Sequence, residues 1–88
     1  MTPIDTKILD LIDILKTLGI IEYAKDFCEA IGMPKQSITR IRQGKAHFTA
    51  QHIANICKVY NINPFWIFDT QKNVFNSTEI QLNKAVNL

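Results

Sequence analysis

Residues 23–45 read YAKDFCEAIGMPKQSITRIRQGK, and the fold turns on this stretch. Tyr23, Ala24, Phe27, Cys28 and Ile31 recur at helical spacing, which predicts a helix from about Tyr23 to Ile31 with those residues on its inner face. Gly32 is its stop signal. Pro34 cannot sit inside a helix without losing a hydrogen bond, so the next helix begins at Pro34 or Lys35. It runs to Arg42 or Gln43, buries Ile38 and Ile41, and is closed by Gly44. The link around Gly32 is too short for an antiparallel hairpin of long helices and suits the sharp crossing of a helix-turn-helix. Such a turn needs a small side chain where the helices approach, a flexible backbone, and an aliphatic anchor on the following helix. Cys28, Gly32 and Ile38 supply all three.

Working outward, residues 3–18 predict a first helix. Thr2 can cap it, Pro3 fits its first position, and Asp5 favours the positive N-terminal end. Ile4, Ile8, Leu11, Leu15 and Leu18 form one apolar stripe, widened by Ile12, and Gly19 ends the helix. Beyond Gly44, Thr49 caps a helix over about 50–60 whose core face is Ile53, Ile56, Cys57 and Tyr60, with Ala54 beside them. Asn61 can take a left-handed C-cap, and Asn63-Pro64 opens a short fifth helix dense in apolar residues. The expectation is an all-α, five-helix domain over 1–69 followed by a C-terminal tail, 70–88. In the tail, Val74 and Phe75 can fold back on the core, and Ser77 or Thr78 can cap a last short helix holding Ile80, Leu82, Ala85 and Val86. No strand, repeat or low-complexity linker is visible.

Composition narrows the function classes. A chain of 88 residues, 47% of them apolar, is one small globular domain, too small for a barrel enzyme or a doubly wound nucleotide fold. No apolar run approaches the ~18 residues of a membrane span. Asp5, Asp10 and Asp13 stand where a secretory leader would be basic, so a soluble cytoplasmic protein is expected. Cys28 and Cys57 have no metal or redox spacing; a disulfide stays open, with reduced and buried thiols the ordinary state. His47 and His52 have no carboxylate or thiol near them in the sequence, so no metal site and no cofactor are expected. No nucleophile–base set or phosphate loop is present, which argues against an enzyme.

Charge is informative through its placement. Net charge is only +2, but residues 1–29 hold six acids against three lysines, while residues 30–68 hold five bases and no acid. A segment with bases alone is the pattern of a surface that meets a polyanion.

The stretch Tyr23–Phe68 resembles the Cro- and phage-repressor-like, or XRE-type, helix-turn-helix domains. Residues 23–45 resemble that family's two-helix motif with its closing N-G-K, here Gln43-Gly44-Lys45. Residues 48–68, FTAQHIANICKVYNINPFWIF, resemble its fourth helix and the Pro-x-Trp entry to the fifth, with Trp66 at the tryptophan position. The resemblance implies a lambda-repressor-like fold and DNA binding. Two positions depart from the pattern. Ala24 stands where a glutamine often grips phosphate, a role Tyr23 could take through its hydroxyl. Pro34 stands where Ser or Thr usually caps the recognition helix.

A recognition helix in the major groove reads base edges from near its N-terminus. Lys35, Gln36, Thr39 and Arg40 are the expected base contacts here, each good bidentate pair contributing roughly 1–3 kcal/mol of discrimination. Ser37, Arg42, Gln43 and Lys45 are the expected phosphate contacts, which position rather than specify. His47 could join them, but reads more simply as a neutral exposed side chain. One helix reads few base pairs, so the expected partner is double-stranded DNA with a two-fold symmetric operator, bound by a homodimer. Phe65, usually polar at that place in the family, is a candidate dimer contact, with packing beneath the tail as the alternative. The leading expectation is a phage or mobile-element type repressor. A competing one is a protein-interaction module on the same fold, such as an antitoxin.

Overall fold

The computed structural model describes residues 1–76, so the last helix expected from Ser77 or Thr78 lies outside them. Within these residues the chain forms α1 (Pro3–Thr17), α2 (Ala24–Ile31), α3 (Gln36–Arg42), α4 (Ala50–Tyr60) and α5 (Pro64–Ile67). The architecture is all-helical, as the periodicity requires.

Local chemistry sets most of the helix ends. At α1, the Thr2 hydroxyl accepts from the Asp5 N–H at 3.1 Å, and the Asp5 carboxylate accepts from the Thr2 N–H at 3.0 Å. At α4, the Thr49 hydroxyl accepts from the His52 N–H while His52 Nδ1 accepts from the Thr49 N–H, both at 3.1 Å. Asn63 caps α5 through Oδ1, and Asn61 ends α4 in the left-handed region at φ 54°. At α2, Asp26 reaches back to accept from the Tyr23 N–H at 2.8 Å and the Glu22 N–H at 3.2 Å. Neither Tyr23 of α2 nor Lys35 of α3 caps its helix with its own side chain, and α3 has no carboxylate reaching back in its place. The Pro34 carbonyl takes the Ser37 N–H instead, and the missing cap costs about 1 kcal/mol.

The core gathers Ile8, Leu11, Ile12 and Leu15 of α1, Phe27, Cys28 and Ile31 of α2, Ile38 and Ile41 of α3, Ile56 of α4, and Ile62, Trp66 and Ile67 around α5. α2 packs on α4, with the Phe27 and Tyr60 rings stacked at 5.6 Å, and α1 packs on α5. Asn55 of α4 donates through Nδ2 to the Ile31 carbonyl at 3.0 Å, satisfying an acceptor left open at the end of α2.

Three readings of the stripes are corrected. Leu18 is 57% exposed and Tyr23 is 54% exposed, because each stands at a helix end beyond the reach of a facing helix. On α4 only Ile56 is fully buried, with Ile53, Cys57 and Tyr60 half-buried and Ala54 exposed, since the helix lies at the edge of the core. Both cysteines are free, Cys28 buried and Cys57 half-buried.

Gly32 closes α2 at φ 77°, and the Met33 N–H returns to the Cys28 carbonyl at 3.0 Å. A Cβ there would meet no atom within 4 Å, so only backbone strain opposes a substitution. Gly32→Ala is expected to lower stability by about 1 kcal/mol and Gly32→Asn by less, measured by urea denaturation.

Residues 70–76 return to the helical body. The Asn63 N–H donates to the Val74 carbonyl at 2.8 Å, the Asn76 N–H to the Asn61 carbonyl at 2.9 Å, and Ile62 pairs with Phe75 as an isolated bridge. Val74 and Phe75 pack against the core, as the sequence led us to expect. No described helix is long and apolar enough to cross a membrane.

Candidate nucleic-acid interface

α3 is a seven-residue helix held to the body by two side chains, Ile38 and Ile41. Helical geometry places Gln36, Thr39 and Arg40 together on the opposite side. All three are exposed, as are Lys35, which stands at the N-cap position, and Arg42 near the end of the helix. Ser37 is half-buried at the flank. Gln43 and Lys45 continue the exposed surface beyond the helix. Gly44 makes that possible. It sits at φ 75°, and the chain folds back so that the Lys45 N–H reaches the Arg40 carbonyl at 2.8 Å. Seven of the eight expected contact residues are thus exposed, and Ser37 is half-buried.

The loop after Gly44 is tied to α1 by a buried carboxylate. Asp5 is 1% exposed. Its Oδ1 accepts from the Phe48 N–H at 3.0 Å, and its Oδ2 lies 2.6 Å from His47 Nδ1. Burial alone would raise this carboxyl, but His47, Phe48 and Thr2 together hold it down to about 2, so it is ionised. The sequence placed no carboxylate near His47; the fold brings one from 42 positions away. The same contact adds to the helix-dipole role expected of Asp5, which stands in the first turn of α1. The pattern Thr2-x-x-Asp5 could have revealed the reciprocal cap, but nothing local points to His47 or Phe48.

Elsewhere the expected residues are scattered or turned outward. Tyr23 stands exposed at the start of α2 with Lys25 Nζ 5.6 Å from its ring centroid. Asp26, in the first turn of α2, places its carboxylate on the N–H groups of Glu22 and Tyr23 just before the helix. Phe65 and Phe68 are 55% and 51% exposed, whereas Trp66 and Ile67 between them are buried. Lys7 braces that end of the molecule, 4.5 Å above the Trp66 ring and 3.3 Å from Asp69. A groove of about 640 Å³ there, lined by Thr2, Pro3, Lys7, Ile67 and Phe68 among others, contains no residue of α3. Burial pushes both cysteine thiols up, which keeps them in the unreactive protonated form. No cluster of three metal-ligating side chains occurs among the described residues.

A short helix crossing another through a glycine turn, pinned by two aliphatics and bare of acids outside, defines a helix-turn-helix domain. The family model for the Cro/C1-type HTH DNA-binding domain matches residues 10–72, and the chain belongs to that family. It is thus a DNA-binding domain of the kind found in transcription regulators. No curated protein and no solved structure matches the chain.

Proposed function

We propose that this protein is a cytoplasmic, sequence-specific transcription regulator, a repressor of phage or mobile-element type, that reads the major groove with α3. The observation that carries this reading is the outer surface of α3, basic and acid-free, lying opposite a two-residue apolar anchor. Lys35, Gln36, Thr39 and Arg40 contact base edges. Arg or Lys suits guanine O6 and N7, and Gln suits adenine N6 and N7. Ser37, Arg42, Gln43 and Lys45 contact phosphate on either side, with the Tyr23 hydroxyl as a further clamp. Repression follows from occupying an operator that polymerase needs. The operator is two-fold symmetric and bound by a homodimer, with the exposed Phe65 as a contact between copies.

Fluorescence-anisotropy titration of labelled duplexes, including sequence upstream of the protein's own gene, tests this across a salt series. Wild type should prefer one site, with log affinity falling linearly in log salt. Arg40→Ala should weaken that site by about 1–3 kcal/mol and relax the preference, while leaving non-specific binding nearly intact. The competing reading is a protein-interaction module such as an antitoxin. The exposed Phe65 and Phe68 and the acidic start of α2 favour it. Absence of any DNA binding by folded protein at low salt would decide for that reading.

A further inference from the structure

The Asp5–His47 pair sits where the phosphate-contact segment leaves α3, and it constrains the histidine in a way the sequence does not reveal. His47 Nδ1 lies 2.6 Å from a buried carboxylate oxygen, whereas the His47 side chain as a whole is 56% exposed. An ionised carboxylate only accepts hydrogen bonds, so Nδ1 must carry a proton in either charge state of the ring. In the neutral ring the single proton is therefore on Nδ1, and Nε2 presents a lone pair. A lone pair offers nothing to a phosphate oxygen. When the ring takes up a second proton, Nε2 becomes an N–H donor bearing positive charge, the group that binds phosphate well. A histidine without Asp5 could place its one proton on Nε2 and donate while neutral. Asp5 removes that option.

We propose that His47 is a protonation-gated phosphate ligand: Asp5 fixes its Nδ1–H, so Nε2 can bind the DNA backbone only in the imidazolium form. The inference rests on the proposed DNA binding through α3 and adds a proton dependence to it.

Among the described residues no other charged group forms an ion pair with Asp5 or His47. Arg42 and Lys45 lie on the same chain segment and are both exposed. The Met1 nitrogen approaches Gly44, 3.7 Å from where a Cβ would stand. On α1, Lys7 is paired with Asp69, and Lys7 and Asp10 line the groove beside α5. On α4, His52 has its Nδ1 engaged by the Thr49 N–H and its ring edge-on to Phe48, and Cys57, Lys58 and Tyr60 follow further along the helix. A phosphate would thus bring His47 a second anion, opposite Asp5, and stabilise its protonated state.

The test uses the whole chain and a duplex carrying its preferred site. Along a pH series over which the protein stays folded, wild-type affinity should tighten about tenfold toward the acid end, the scale of one hydrogen bond to a charged group. The salt slope should steepen by about 0.9, the value for one added phosphate neutralisation. Calorimetry along the same pH series, in buffers of different ionisation heat, should show proton uptake on binding. His47→Gln should abolish the uptake and flatten the pH profile. His52→Gln, which preserves the reciprocal cap of α4, should retain both. Wild type that binds DNA with no proton uptake overturns the inference while the DNA-binding reading stands, and so does a His47→Gln variant that keeps the full pH profile. Absence of DNA binding at every pH overturns both together. The uptake measurement needs no variant, so it holds even if a substitution disturbs folding.

Discussion

Phe27→Ala is expected to lower the stability of this domain by about 3–5 kcal/mol, the range for emptying a fully buried aromatic site. Phe27 has no exposed surface, and its ring stacks nearly parallel to Tyr60 at 5.6 Å. Through that stack α2 is joined to α4, and the turn at Gly32 in turn hangs α3 from α2. Truncation would leave a cavity at the centre of this assembly and remove the ring pair. Small domains have only about 5–15 kcal/mol in total, so the variant should unfold at much lower urea than wild type and populate unfolded chains at 37 °C. Phe27→Leu, which refills most of the space, should lose clearly less. Urea denaturation monitored by circular dichroism measures both. Equal losses for the two variants would show that the ring stack, rather than the volume, holds α2 to α4.

Asp5→Ala is expected to be the second most damaging change, at about 3 kcal/mol near neutral pH. It removes the acceptor for the buried Phe48 N–H, an unsatisfied donor that costs about 1–3 kcal/mol. It also breaks the reciprocal cap of α1, worth about 1 kcal/mol. The acid dependence follows from the depressed carboxyl. Its pKa is about 2 in the fold against 3.8 for the free group. A depressed acid contributes stability that is fully present above about 3.8 and is lost as pH falls through about 2, here about 2 kcal/mol. The gap between wild type and Asp5→Ala should therefore be wide at pH 7 and pH 5 and should narrow toward pH 2. A gap of constant width would mean that the carboxylate charge contributes nothing and that shape alone matters.

Much of this fold is legible in the sequence because its signals are local. Thr2, Thr49 and Asn63 cap the helices they precede, Asn61 and the glycines stop the helices they follow, and each acts within four residues of itself. Ile38 and Ile41 identify the buried side of α3 by spacing alone, which also exposes Gln36, Thr39 and Arg40. Periodicity fails at the ends. Leu18 and Tyr23 continue their stripes in sequence, but burial depends on a partner helix, and none faces them. Asp5 shows the deeper limit. Its carboxylate is spent on residues 42 and 43 positions away, and a contact at that separation leaves no trace in a local pattern. The histidine it holds therefore carries no signal of its own in the sequence. The half-buried side of α4 has the same origin, since a spacing gives the direction of a face but not how much structure lies beyond it.

The sparse anchoring of α3 has an evolutionary consequence. Four of its seven positions, Gln36, Thr39, Arg40 and Arg42, face outward and hold none of the body together. Exchanges there should seldom move stability by more than about 0.5 kcal/mol. New side chains could be tried at these four places one after another, with every intermediate still folded. Whatever preference the helix expresses can then drift, split between gene copies or be selected afresh, on a scaffold that does not have to change with it.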